Sequence, residues 1–231
     1  MFNRVMKSCC LILLALMSTL SRADDVAEFA ALTQQTQSYQ ANFEQKITDQ
    51  FGTVKDQSSG RFVIKKPYRF IWETTAPYEQ LITSNGETLW TFDRDLDQVN
   101  IQTLNKAVGN TPVLLLEADS ASLAKTFNVK KLVSGSETAQ TFELMPLEQG
   151  YSFERLLVQF VDGQLKELYL QDTLGQKTIV TFSEVKVNLE LADNKFEFVI
   201  PEDVDIVDSR ESTELGVDLS SAAALEQNEN E

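Results

Sequence analysis

Short segments in which apolar and polar residues alternate fill most of this chain, and this alternation limits its fold more than any other feature. The first segment runs from Tyr39 to Ile47, similar ones follow at spacings of roughly 8–12 residues, and the last two are Lys177–Val187 and Phe196–Ile200. Asn85-Gly86 and Asp162-Gly163 each lie between two such segments, where a two-residue hairpin turn favours this pair of residues. The pattern predicts about ten antiparallel β-strands in a sandwich or barrel, rather than parallel βαβ units.

Three segments depart from the alternation and predict helices. Residues 24–38 carry apolar side chains at helical spacing. Thr111-Pro112 has the cap and proline of a helix start and leads into the apolar run Val113–Leu116, and Ser120–Phe127 predicts a further short helix. Helices in the middle of the strand series are unusual for a closed barrel that fills itself with side chains.

The N-terminus has the features of a secretory signal. Arg4 and Lys7 precede an apolar stretch from Cys9 to Leu20, and Ser21-Arg22-Ala23 offers a cleavage site. The stretch is shorter than the roughly 20 apolar residues of a membrane-spanning helix, which argues against an uncleaved anchor. We therefore expect a signal peptide at residues 1–23, one domain at 24–207, and a disordered acidic tail at 208–231.

The composition excludes several kinds of chemistry. The chain contains no histidine, and both cysteines, Cys9 and Cys10, leave with the signal, so histidine bases, thiol nucleophiles and the usual zinc sites are excluded. The net charge of −15 becomes −18 once Arg4, Lys7 and Arg22 are removed, which disfavours nucleic acid and anionic lipid surfaces. We expect no metal and no cofactor.

Carboxylates remain as candidates for chemistry. Asp93, Asp95 and Asp97 are interpreted as a solvated turn, because charge runs are usually exposed. A weak calcium site at this turn, and an Asp/Glu pair of the glycosidase type elsewhere, are the alternatives.

Apolar binding is the other possibility that the residues leave open. The aromatic residues of the first half, among them Phe43, Phe62, Phe70, Trp72 and Trp90, lie on alternating strands. They form the core of a β domain in the simpler interpretation, and in the other they also line a cavity. The apolar run Val113–Leu116 needs a surface to cover, and the inner face of the sheet provides one.

Several segments, in order, resemble the LolA family of periplasmic outer-membrane lipoprotein carriers. They are Phe43-Glu44-Gln45-Lys46, Gly60 to Pro67, Phe70-Ile71-Trp72, Asn85-Gly86 with Leu89-Trp90, Gly109-Asn110-Thr111-Pro112, and Lys195 to Phe198 with Pro201. Each motif is weak alone, whereas their order and spacing behind a signal peptide are specific. The likeness extends from about Val26 to Asp208.

The resemblance implies a fold and a function. The fold is an incomplete, curved antiparallel β-barrel of about ten or eleven strands, covered by a lid of short helices. The function is that of a monomeric, non-enzymatic periplasmic chaperone for lipoprotein localisation and outer membrane biogenesis. It receives acylated lipoproteins from the inner-membrane ABC exporter LolCDE, shields their acyl chains in a hydrophobic cavity, and delivers them to the outer-membrane acceptor LolB.

The resemblance also assigns roles to residues. The expected cavity and lid residues are Phe43, Phe62, Phe70, Trp72, Trp90, Val113, Leu114, Leu115 and Leu116. In the family, an arginine before the proline of the strand segment bonds to carbonyls of the lid, and Lys66 stands at that position here. Lysine keeps the charge but lacks the planar fork of arginine. We expect Lys66 to act as a weaker latch near the Leu116–Glu117 backbone.

Three other functions are compatible with parts of the pattern. The acceptor LolB would require a cysteine after the apolar stretch, which this chain lacks. A periplasmic sensor or regulator that binds lipoproteins or lipids could use the same fold, but such proteins usually carry an added domain. A carboxylate hydrolase would require two close acids in a polar cleft.

Overall fold

The computed structural model describes residues 25–104, 116–117 and 119–210. Within them, residues 25–34 form helix α1, Ser120–Thr126 form helix α2, and Asp193–Phe196 form a short 3-10 turn. The strands are β1 Ser38–Thr48, β2 Val54–Lys65, β3 Arg69–Ala76, β4 Gln80–Asn85, β5 Thr88–Asp93, β6 Gln98–Thr103, β7 Phe127–Leu132, β8 Ala139–Pro146, β9 Phe153–Val161, β10 Gln164–Asp172, β11 Lys177–Val187 and β12 Asp205–Asp208.

All twelve strands belong to one curved, open sheet in the order β12-β6-β5-β4-β3-β2-β1-β11-β10-β9-β8-β7. Neighbouring strands are antiparallel, except that β12 runs parallel to β6. The first strand pairs with the eleventh, with Phe43 opposite Phe182, so β1 lies inside the sheet. The predicted incomplete antiparallel barrel is confirmed, with one short parallel strand added at its edge.

The inner face of the sheet carries the larger hydrophobic core. Alternate residues of β1–β3 and β7–β11 bury their side chains there, as the period-two pattern predicts. Helix α1 lies on this face. Its Phe29 is fully buried, with its ring centre 5.4 Å from that of Phe142 and 6.0 Å from that of Phe160.

The outer face is covered by the chain that follows β11. Phe196 is fully buried against Val63 and Ile71, which point away from the inner core. Further along, Phe198, Ile200 and Val204 pack on a second cluster from β5 and β6. The sequence predicts a strand at Phe196–Ile200, and this prediction is wrong. The segment crosses the sheet instead of pairing with it, and the last strand forms later, at β12.

Parts of the sequence-based interpretation lie outside the described residues. These are the signal peptide at 1–23, the tail beyond residue 210, the helix start at Thr111-Pro112, and Val113, Leu114 and Leu115. The sequence places the start of the tail at residue 208, whereas Asp208 still pairs within β12. The helix predicted at Ser120–Phe127 is confirmed as α2, capped by the Asp119 carboxylate on the Ser122 amide.

Candidate functional site

The inner face of the sheet holds a cavity of about 420 Å³. Its walls come from β1, β3 to β6 and β9 to β11, strands that the curvature of the sheet brings around one space. This volume lies within the roughly 300–1,000 Å³ of pockets that bind small organic ligands. The apolar part of the wall includes Phe70, Trp72, Leu89, Leu156, Leu168 and Val180.

Four of the aromatic residues named from the sequence are together at this site. Phe70 and Trp72 line the cavity directly. Phe43 and Phe62 lie behind them and are almost completely buried, with the Phe43 ring stacked on Trp72 at 4.2 Å between centres and the Phe62 ring 5.4 Å from it. Because both rings contact Trp72 from behind the cavity wall, they support the position of the indole, and their contact with a ligand stays a prediction.

Leu116 lies in the same hydrophobic core and is 8% exposed. It is the described residue of the run Val113–Leu116, and its burial agrees with the expectation that this run faces the inner side of the sheet. Its role in ligand binding stays a prediction.

The structure places Trp90 on the opposite face. Residues of a strand alternate between the two faces, so Leu89 points into the cavity and Trp90 points out. There Trp90 packs with Phe92 and with Phe198, whose ring centre is 6.1 Å away. The assignment of Trp90 to the cavity is therefore corrected, and Leu89 takes its place.

The second half of the chain contributes lining residues that the sequence interpretation missed. Leu156, Leu168, Leu170 and Val180 come from β9, β10 and β11. The alternation of apolar and polar residues in these strands predicts that one face is buried. It does not predict which other strands lie opposite that face. They reach the cavity because β11 pairs with β1, a long-range contact that periodicity cannot specify.

Lys66 lies in the turn between β2 and β3, half-buried, and its ammonium Nζ donates a hydrogen bond to the Thr33 carbonyl at 2.8 Å. Thr33 belongs to the last turn of α1, whose carbonyls have no partner inside the helix and attract cations. The expected contact with the Leu116–Glu117 backbone is replaced by this one. Burial lowers the pKa of Lys66, and the nearby Glu117 carboxylate opposes that shift.

Glu117 connects residues 116–117 to the turn between β2 and β3. Its Oε2 accepts a hydrogen bond from the Tyr68 amide at 2.6 Å. In the described part of the chain, its other oxygen Oε1 is buried without a hydrogen-bond partner. Burial raises the pKa of the Glu117 carboxyl, while the Tyr68 amide, Lys66 and Arg69 oppose the increase. The turn after β2 is thus connected to α1 through Lys66 and to residues 116–117 through Glu117.

The start of α1 is also fixed to the sheet. The Glu28 Oε1 accepts hydrogen bonds from the Lys131 ammonium at 2.5 Å and from the Gln140 amide at 2.6 Å. The Asp25 carboxylate accepts one from the Lys131 backbone amide at 3.1 Å. Together with Lys66, these contacts hold both ends of α1 over the inner core.

The polar part of the cavity wall is uncharged. The described residues contribute Gln45, Thr74, Gln80, Thr91, Gln102 and Thr178, without a carboxylate or a cation. Such a wall lacks the acid pair of a glycosidase-type hydrolase.

The acidic turn at Asp93, Asp95 and Asp97 is an ordinary exposed turn. The Asp93 side chain accepts hydrogen bonds from the amides of Asp95 and Leu96. The described ranges contain no group of three or more acidic side chains placed to hold a metal ion. The described helices likewise include none that is long and apolar enough to cross a bilayer.

Comparisons with known proteins agree with this architecture. Residues 34–199 match the family described as outer membrane lipoprotein carrier protein LolA. An outer-membrane lipoprotein carrier protein of Hahella chejuensis is 34% identical over 190 residues, covering 82% of this chain and 91% of that protein. The protein of the same name from Pseudomonas paraeruginosa is 35% identical over 197 residues, covering 84% and 94%.

Among solved structures, an uncharacterized conserved protein from Thermus thermophilus has the same fold. It superimposes with a TM-score of 0.51 at 12% identity, covering 80% of this chain and 98% of that one. The open curved sheet, the cavity on its inner face and the match over residues 34–199 lead to one conclusion: this chain belongs to the LolA family of outer-membrane lipoprotein carrier proteins.

Proposed function

We propose that this protein is a periplasmic carrier that binds the acyl chains of lipoproteins and transports them from the inner to the outer membrane. The observation that carries the proposal is the uncharged, largely apolar cavity on the inner face of the sheet. The names of the relatives, which are outer-membrane lipoprotein carrier proteins, support the same function.

The energetics of acyl chains explain why a carrier is needed. Transfer of a chain from lipid into water costs about 0.8 kcal/mol per CH₂ group, so an acylated protein does not cross an aqueous compartment unaided. Phe70, Trp72 and Leu168 offer the chain an apolar surface in place of lipid. Binding and release require no bond to be made or broken, so the function needs no catalytic group.

The N-terminal residues provide the route to the periplasm. We propose that residues 1–23 direct export and are removed, and that residues 24–207 form the carrier domain. The resulting charge of −18, after loss of three basic residues, disfavours adhesion to anionic membranes. A carrier that repels both membranes can move between them.

The partners at the two membranes are proposed from the family and supported by one surface. We propose that LolCDE loads the carrier and that LolB receives its cargo. Hairpin tips at one end of the sheet expose the apolar side chains Phe51, Tyr78, Leu96 and Leu174. Because these tips surround the end of the cavity formed by Gln45, Thr74 and Thr178, they offer a docking surface beside its opening.

A release assay tests the proposed function. Inner-membrane spheroplasts that hold a newly made outer-membrane lipoprotein receive the purified mature protein, and the soluble fraction is analysed. We expect a soluble complex containing one carrier per lipoprotein. Lipoprotein that stays in the membrane, in the presence of folded carrier, would contradict the proposal.

A pair of variants ties the result to the cavity. Leu170 lines the cavity, while its neighbour Tyr169 lies on the other face of β10, and both side chains are half-buried. Leu170→Glu places a charge among the acyl chains and should abolish release, because an unpaired carboxylate in an apolar site is costly. Tyr169→Glu should leave release unchanged, and urea unfolding of both variants checks that they are folded.

A further inference from the structure

We propose that Gln45, Thr74, Gln80 and Thr178 form a collar that recognises the neutral ester and amide groups joining acyl chains to a lipoprotein. This inference rests on the proposed carrier function. It specifies which part of the ligand these four residues recognise. Since phospholipids also carry acyl esters, the preference for lipoproteins over phospholipids comes from the carboxylates that surround the collar.

The four side chains lie at one end of the cavity. Gln45 and Thr74 are close to the ends of β1 and β3, and Gln80 and Thr178 are at the beginnings of β4 and β11. Adjacent strands are antiparallel, so these ends meet at the same edge of the sheet. Thr74 and Gln80 are direct partners across β3 and β4.

The opposite part of the cavity is mostly hydrocarbon, with Gln102 beside Leu89 as a polar residue at that end. Phe70 is near the start of β3 and Leu89 near the start of β5, both far from the collar, and Leu168 is in the middle of β10. All three line the same space as the collar. A ligand with an apolar chain and a polar junction therefore fits in one direction, with the junction at the collar.

The collar has hydrogen-bonding capacity to spare. A glutamine amide and a threonine hydroxyl can each donate to an ester or amide carbonyl, and both can accept from an amide N–H. In the described part of the chain, the collar side chains make one hydrogen bond, a long one of 3.3 Å from the Gln45 amide to the Ser58 hydroxyl. Their polar groups are half-buried and point into a space that a ligand would fill.

The charges around the collar disfavour a phosphate. A shallow depression adjoins the cavity, shares Gln45, Thr74 and Gln80 with it, and is bordered by the carboxylates of Asp56, Glu79, Asp93 and Asp95. Arg94, a cation of this region, is already paired with Glu79 at 2.9 Å and Glu73 at 3.6 Å. A phospholipid headgroup would lie among carboxylates, whereas an acyl–protein linkage brings no charge.

The test compares ligands with and without a polar junction. Full-length mature protein is loaded with diphenylhexatriene, an apolar fluorescent probe without hydrogen-bonding groups, which is displaced by a synthetic triacylated cysteinyl peptide or by phosphatidylglycerol. The variant is the double substitution Gln45→Met and Gln80→Met, which keeps side-chain length. Gln171→Met is the matched control, since Gln171 is half-buried near the same end of the sheet but follows the cavity residue Leu170 and so lies on the other face of β10.

We expect the double variant to bind the apolar probe as the wild type does, but the lipopeptide roughly tenfold more weakly, as two lost hydrogen bonds imply. The control should match the wild type for both ligands. Gln80→Lys, which adds a cation to the collar, should increase displacement by phosphatidylglycerol. Unchanged lipopeptide affinity in the double variant, or an equal loss of affinity for probe and lipopeptide, would overturn the collar while leaving the carrier function intact.

A different result would reject the carrier function itself. If the folded wild type binds the apolar probe and the lipopeptide does not displace it, the chain is not a lipoprotein carrier and the collar has no such ligand.

Discussion

The hydrogen bond from Lys66 to the last turn of α1 allows a prediction with a definite size. Lys66→Met keeps the aliphatic stem and removes the ammonium that donates to the Thr33 carbonyl at 2.8 Å. A hydrogen bond from a charged donor is worth about 1.5–3 kcal/mol. Burial lowers the pKa of Lys66, so desolvation of the ammonium cancels part of this gain. We expect the free energy of unfolding to fall by about 1–2 kcal/mol.

Urea unfolding at pH 7, followed by tryptophan fluorescence, measures this loss. Lys46→Met is the control, because Lys46 is an exposed lysine on β1. Lys66→Arg should be at least as stable as the wild type, since the guanidinium keeps the charge and adds donors within reach of Glu117. A difference below about 0.5 kcal/mol between Lys66→Met and the wild type, as found for surface substitutions, would refute the reasoning.

Three further predictions concern the core, the two faces of the sheet, and pH. Phe29→Ala should lower the free energy of unfolding by about 3–5 kcal/mol, measured by urea denaturation, because the ring is fully buried between two others. Trp72→Ala should weaken lipopeptide binding in the probe-displacement assay, whereas Trp90→Ala should reduce stability and leave binding unchanged; equal effects on binding would contradict the assignment of faces. The pKa of Glu117 is raised in the folded protein, so stability should fall as the pH rises from about 4.3, the ordinary pKa, through the folded value. Glu117→Gln should remove this part of the pH dependence, as urea midpoints between pH 4 and pH 8 would show.

The sequence predicts most strands because apolar and polar residues alternate within each half-buried strand, and this local pattern can be recognised without knowing the rest of the fold. The hairpin with its turn at Asn85-Gly86 and the strand from Lys177 to Val187 are formed as predicted. The exception is Phe196–Ile200, whose apolar side chains cover the outer face of the sheet. Such a covering segment has the same pattern of apolar residues as a strand, so the sequence does not distinguish the two.

The cavity was predicted less completely. Aromatic residues of the first half identified one wall, with Phe70 and Trp72 in place. Assignment of Trp90 to the cavity failed because aromatic character does not tell the two faces apart when both are buried. The opposite wall, including Leu168, depends on the pairing of β1 with β11, and no local pattern encodes which strands pair at long range.

The pairing of the first strand with the eleventh has a consequence for how the protein becomes functional. Strands β1 to β6 and β7 to β11 are two series of neighbours that local contacts can assemble, whereas the seam between β1 and β11 joins residues from opposite ends of the domain. Closing so long a loop is entropically unfavourable, and non-local sheets fold slowly for that reason. The walls of the cavity come from both series, with Phe70 on one side of the seam and Leu168 on the other. We therefore expect the cavity to form only once β1 and β11 have paired, so that a chain lacking its last strands has no complete site for a lipid.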